Sequence, residues 1–173
     1  MRINFFYWLE TFFWFFLTKV RFRRARIVRG GFRLRLDGRV KFGAGFTTGF
    51  NNRVDVFRDG HLVLGRNFRM TDNNHIGCAL SVTIGDDVLV ASGVYISDHD
   101  HAVSPDFSVP IESGLVSSPV VIGDRVWIGE KASILKGVEL GDDCVVAAHC
   151  VVTKSFPARS VIGGVPGRIL RMR

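Results

Sequence analysis

Two histidines and two aspartates alternate in the segment Ser97-Asp98-His99-Asp100-His101. Imidazole has a pKa of roughly 6.5, so it exchanges a proton near neutral pH and suits general-base work on a hydroxyl. A nearby carboxylate can hold the ring, and Asp98, Asp100 and Glu112 are all within reach in sequence. Side chains alternate along an extended chain, so His99 and His101 share a side and the spacing admits either as base. The other histidines, His61, His75 and His149, stand singly. The cysteines Cys78, Cys144 and Cys150 show no CxxC spacing for zinc, and no metal is expected. They read as small core residues, and their odd number argues for a reducing compartment.

A repeat must position this segment. Aliphatic residues recur every six positions along Ile122, Ile128, Ile134, Leu140, Val146 and Val152, often followed by glycine as in Ile122-Gly123, Ile128-Gly129 and Leu140-Gly141. Shorter runs cover Ile84, Val90 and Ile96, then Leu64, Met70 and Ile76, and faintly Phe42, Thr48 and Val54. A period of six fits neither the 3.6 of a helix nor the 2 of a strand. It suits a triangular solenoid in which each inward aliphatic stacks on the one a full coil later, Ile122 on Leu140 for example. The Gly-Asp-Asp and Gly-Asp-Arg steps at 85–87, 123–125 and 141–143 are turn chemistry. The phase shifts near 55–63, 78–83 and 97–121, and the last of these is a loop long enough to imply a function.

The segments around that loop carry a family likeness. Val94-Tyr95-Ile96-Ser97-Asp98-His99, then Pro119-Val120-Val121-Ile122-Gly123-Asp124-Arg125-Val126-Trp127-Ile128-Gly129, resemble the sugar and antibiotic acetyltransferases of the hexapeptide acyltransferase superfamily. The likeness continues to Val151-Val152-Thr153-Lys154-Ser155-Phe156-Pro157 and Gly163-Gly164-Val165-Pro166-Gly167-Arg168-Ile169. It implies an all-β, left-handed parallel β-helix and a homotrimer with active sites between neighbours. It also implies direct transfer of acetyl from acetyl-CoA to a sugar or glycan hydroxyl, with His99 rather than His101 as base.

The same likeness assigns further residues. The backbone amide of Glu130 would stabilise the oxyanion, although the family's usual residue there is small. Trp127 and Gly129 would flank the pantetheine, and Ala147 and Ala148 would let it approach the backbone. Thr153, Lys154 and Arg168 would meet the nucleotide phosphates. On the acceptor side stand Asp98, His101, Asn73 and Asn74, the last two being equally readable as a buried ladder of the solenoid. An amino-sugar N-acetyltransferase, or a solenoid serving as a scaffold, is the alternative.

The formal charge of +7 is unevenly spread. Residues 1–41 carry a net +9 and residues 42–173 a net −2. The body is therefore no nucleic-acid surface. Nine of the 20 aromatic residues fall in residues 5–16. This divides the chain into an aromatic and basic helical leader, 1–30, and a solenoid, 31–173, with a loop at 97–121 and a cap at 154–173. A signal peptide would place its charge before the apolar run; here Lys19 and the arginines follow it. The run is about 15 residues with Glu10 inside it, whereas a span needs roughly 20. A helix lying at a membrane interface is expected, on the cytoplasmic side because of the adjacent cations. The competing expectation is a helix packed on protein.

Overall fold

The computed structural model describes residues 5–103 and 114–173, apart from the side chains of Phe5 and Tyr7. One helix, α1 (Phe5–Arg21), precedes a left-handed parallel β-helix of about six turns. The prism has three faces. Face A stacks Ile27–Val28, Thr47–Thr48, Arg69–Met70, Leu89–Val90, Trp127–Ile128, Val145–Val146 and Ser160–Gly163. Face B stacks Arg33–Leu36, Arg53–Val56, His75–Cys78, Tyr95–Ser97, Ser133–Ile134 and Val151–Val152. Face C stacks Arg39–Phe42, His61–Leu64, Ser81–Ile84, Val120–Ile122 and Glu139–Leu140. The chain runs A, B, C in each coil, and the fourth coil begins at Leu89.

The period of six is the inward register. Ile122 pairs with Leu140, Ile128 with Val146 and Ile134 with Val152, and all six are buried. Each such aliphatic contributes about 1.5–3 kcal/mol of burial. Cys78, Cys144 and Cys150 are buried and free among them. Burial pushes the Cys78 thiol up to about 12, and the neighbouring Asp98 carboxylate adds to the shift. Burial also raises Cys144 and Cys150.

The two ends close differently. At the first coil the interior fills with rings: Phe22 packs on Phe32 and Phe42, these on Phe46, and Phe46 stacks on Phe68. At the far end the strand Arg168–Met172 folds back antiparallel on Ser160–Gly163. The solenoid starts earlier than the 31–173 division expected, because Ile27 and Val28 already pair with Thr47 and Thr48 and are buried.

α1 packs on the first coil along one side. Trp14 lies against Gly30 and sets its edge on Phe50. The Thr18 hydroxyl accepts from Val28 N at 2.7 Å. Among the described residues no helix is long and apolar enough to cross a membrane.

Candidate active site

The edge between faces B and C carries the Asp98–His99 segment. After Ser97 the chain leaves the coil and rejoins face C at Val120. The excursion begins and ends as a two-stranded antiparallel ribbon, His99–His101 with Leu115–Ser117, His99 opposite Ser117. This ribbon makes the His99 ring part of the scaffold, with 14% of its side chain exposed. His99 Nδ1 lies 2.8 Å from Asp98 Oδ1. A carboxylate accepts there, so Nδ1 carries a hydrogen, and in the neutral ring the lone pair then belongs to Nε2. The ring lies over Gly77, where a Cβ would come within 3.0 Å of His99 Cε1. Phe57 meets the other side edge-on at 5.2 Å between centroids.

Asp98 is fully buried and holds its own carboxylate rigidly. Oδ1 accepts from Ala79 N, and Oδ2 accepts from Leu80 N and Ser81 N at 2.8 and 2.6 Å. The three amides belong to the same edge one coil earlier. Every lone pair of Asp98 thus faces protein, one of them toward His99 Nδ1, and none is turned toward an acceptor. Among the candidate orienting groups Asp100 is engaged elsewhere, in an ion pair with Lys136, and Glu112 lies outside the described residues. His101 is exposed on the ribbon two residues beyond His99.

The other expected residues lie elsewhere on the prism. Trp127 is on face A, half exposed beside Leu89 and Val145. Gly129, Glu130, Ala147 and Ala148 form the edge between faces A and B. A Cβ on Gly129 would strike Ala148 N at 2.7 Å and Val146 O at 2.8 Å, so only glycine fits there. The Glu130 and Ala148 amides make no hydrogen bond among the described residues. Asn73 is exposed on this edge in the left-handed conformation, φ 59°.

Asn74 has the contacts of the buried-ladder reading. It is buried, its Oδ1 accepts from Val94 N, its Nδ2 donates to Thr71 O, and its own amide donates to Asn52 Oδ1. With Asn52 it forms a rung of a buried asparagine ladder. Thr153 and Lys154 return to the BC edge, two coils beyond His99, and Arg168 lies on the terminal strand. Within one chain, then, His99 and Glu130 occupy different edges and do not meet.

Some contacts of His99, and an ion-pair cluster elsewhere, were not evident in the sequence. Phe57 and Gly77 contact His99 from the two preceding coils, and only their register, invisible before folding, brings them there. Asp55 and His75 pair on face B at 3.0 Å, with Arg53 on the same oxygen. Their twenty-residue offset, one coil, was the available signal.

A family model described as bacterial transferase hexapeptide (six repeats) matches residues 119–154, and one described as hexapeptide repeat of succinyl-transferase matches residues 76–98. The chain is 42% identical over 163 residues to the protein named "Putative lipopolysaccharide biosynthesis O-acetyl transferase WbbJ" of Escherichia coli (strain K12), covering 90% of this chain and 83% of that one. The chain belongs to the hexapeptide-repeat acetyltransferase family.

Solved members agree in fold. A maltose O-acetyltransferase from Clostridium difficile 630 superposes with a TM-score of 0.65 at 31% identity, covering 76% of this chain and 70% of that one. A galactoside acetyltransferase in complex with coenzyme A gives 0.65 at 34% identity, covering 73% of this chain and 65% of that one. This hexapeptide-repeat protein is accordingly an acyltransferase.

Proposed function

We propose that this chain transfers acetyl from acetyl-CoA to a hydroxyl of a sugar or glycan, a precursor of a cell-surface polysaccharide, with His99 as general base. The observation carrying this is the Asp98–His99 pair, in which the carboxylate holds Nδ1 and leaves Nε2 unengaged by it. Nε2 takes the proton from the acceptor oxygen as that oxygen attacks the thioester carbonyl. The N–H of Glu130 donates to the carbonyl oxygen as negative charge gathers on it. His99 then returns the proton to the departing sulfur. No covalent enzyme intermediate is required.

Because His99 and Glu130 lie on different edges, one copy supplies the base and a neighbour the donor, which suits a homotrimer. The residues present fit acetyl-CoA. Trp127 offers an exposed ring and Ala148 a small side chain beside a free amide. Lys154, Thr153 and Arg168 are exposed for phosphates. His101 and Asn73 face the acceptor. The lipopolysaccharide biosynthesis named for the Escherichia coli relative supports a glycan acceptor, and the leader supports work at the cytoplasmic membrane face. Release of coenzyme A is to be measured against a panel of sugars and glycans. Turnover with a sugar hydroxyl is expected, and turnover confined to amino groups would redirect the reading to N-acetylation.

A further inference from the structure

The first coil differs from every other coil in what it shows to solvent. Its outward positions carry Arg33 and Arg35 on face B and Arg39 and Lys41 on face C, all exposed. Arg23, Arg24 and Arg26 stand exposed just before face A begins. The one carboxylate in this belt, Asp37, pairs with Arg35. The cations thin out in later coils, where Thr83, Leu89, Tyr95, Val121, Trp127 and Ser133 take the outward places. The belt is thus a collar around one end of the prism.

α1 emerges beside that collar. At 100° per residue, the helix side opposite Trp14 and Thr18 is centred on Phe12 and Phe16, flanked by Leu9, Trp8 and Val20. These five are 52–72% exposed. Glu10 lies one turn before Trp14, on the flank of the packed side. An exposed aromatic patch of this size marks an interaction site. A rim of cations with almost no acid beside it matches a surface of phosphate headgroups, to which each Lys or Arg adds about 1 kcal/mol.

We infer that the chain docks end-on to an anionic bilayer, with α1 in the interface and the first-coil collar of Arg33, Arg35, Arg39 and Lys41 at headgroup level. The site would take lipid phosphates. End-on docking fixes a height. His99 lies in the fourth coil, three spacings of about 4.8 Å from the first, so it stands about 14 Å above the collar. The hydroxyl it deprotonates then belongs to a sugar held out from the headgroups, not to one attached directly to a lipid phosphate. That consequence rests on the proposed acetyl transfer; the docking does not.

The test uses the full chain and vesicles of phosphatidylcholine with or without phosphatidylglycerol. Co-sedimentation is expected only with phosphatidylglycerol and is lost in high salt. R33Q/R39Q/K41Q should bind about a hundredfold more weakly, and F12S/F16S should not bind, both with unchanged melting temperature. Brominated phosphatidylcholine in the anionic vesicles should quench Trp8 but not Trp127, read in variants keeping one of these two with Trp14 replaced by Phe. Quenching of Trp127 would mean that face A lies on the membrane and would overturn end-on docking. Binding indifferent to lipid charge, or absent, would overturn the proposal. So would F12S/F16S that changes only oligomeric state, since a second copy would then cover the helix. None of these outcomes bears on His99, whose failure would appear only in coenzyme A release.

Discussion

Two edges of the prism turn the same way in every coil, and the third does not. The AB edge places a left-handed residue at Gly31, Asn51, Asn73, Gly93, Lys131 and His149. The CA edge does so at Gly45, Asn67, Asp87, Arg125, Asp143 and Arg159. A left-handed residue per coil gives the tightest corner, at a cost that Asn, Asp and Gly bear best. The CA edge adds a ladder: Asp86 Oδ1 accepts from Arg66 N, Asp124 Oδ1 from Asp86 N, and Asp142 Oδ1 from Asp124 N. The BC edge has no such uniformity. Its corners differ in length and its fourth opens into the His99 excursion. The regular edges hold the coils in register, and the irregular one carries the Asp98–His99 segment.

That division predicts large catalytic effects on one edge and small structural ones on the others. His99→Ala should lower kcat by about 10²–10⁴ with little change in unfolding midpoint. A loss below tenfold would remove His99 as the base. Asp98→Asn comes next. It replaces a charged acceptor of three amides and an imidazole, each such bond worth about 1.5–3 kcal/mol. A fall in kcat of roughly 10–100-fold is expected, with acetyl-CoA KM unchanged. An equal fall in acceptor affinity alone would return Asp98 to the acceptor side.

The same division explains what could be read beforehand. The regular edges keep the period of six intact, so the pairs Ile122 with Leu140 and Ile128 with Val146 were legible from spacing. The three phase shifts, at 55–63, 78–83 and 97–121, all fall on BC corners, because a corner of variable length resets the count. The irregularity that blurs the repeat therefore marks the site edge. What stayed hidden depends on stacking between coils. Gly77 under His99 and the amides of Ala79, Leu80 and Ser81 around Asp98 are set by register. Asn74 kept two readings because a polar residue at a corner looks alike whether it faces solvent or bridges coils.

Asn74→Ala sharpens that point. It strands the buried Val94 amide and should cost about 1–3 kcal/mol in denaturant unfolding, with kcat unchanged well below the transition. A raised acceptor KM without loss of stability would place Asn74 at the acceptor after all. Gly77→Ala is milder. Its Cβ would press on His99 Cε1 at 3.0 Å, so the ring must shift by a few tenths of an ångström. A severalfold drop in kcat at unchanged stability is expected, and no drop would mean the ring relaxes freely.

The smallest effect belongs to the CA edge and depends on pH. Arg125 donates to Asp143 and Asp142, and Arg66 to Asp86. The paired guanidiniums hold the Asp143 and Asp86 carboxyls below their usual range. A depressed carboxylate stabilises the fold above its unfolded pKa, and that contribution disappears as pH falls through the folded value. These pairs should therefore be intact at pH 7 and lost as acid protonates the carboxylates. They are exposed, so salt screens them. Arg125→Gln should lower the urea midpoint slightly at pH 7 in low salt, and progressively less as the pH falls below the ordinary carboxylate range or as salt rises. A large, salt-independent loss would show the CA edge to be held by its ion pairs and not by the backbone-capping aspartates, and the two regular edges would then no longer be alike.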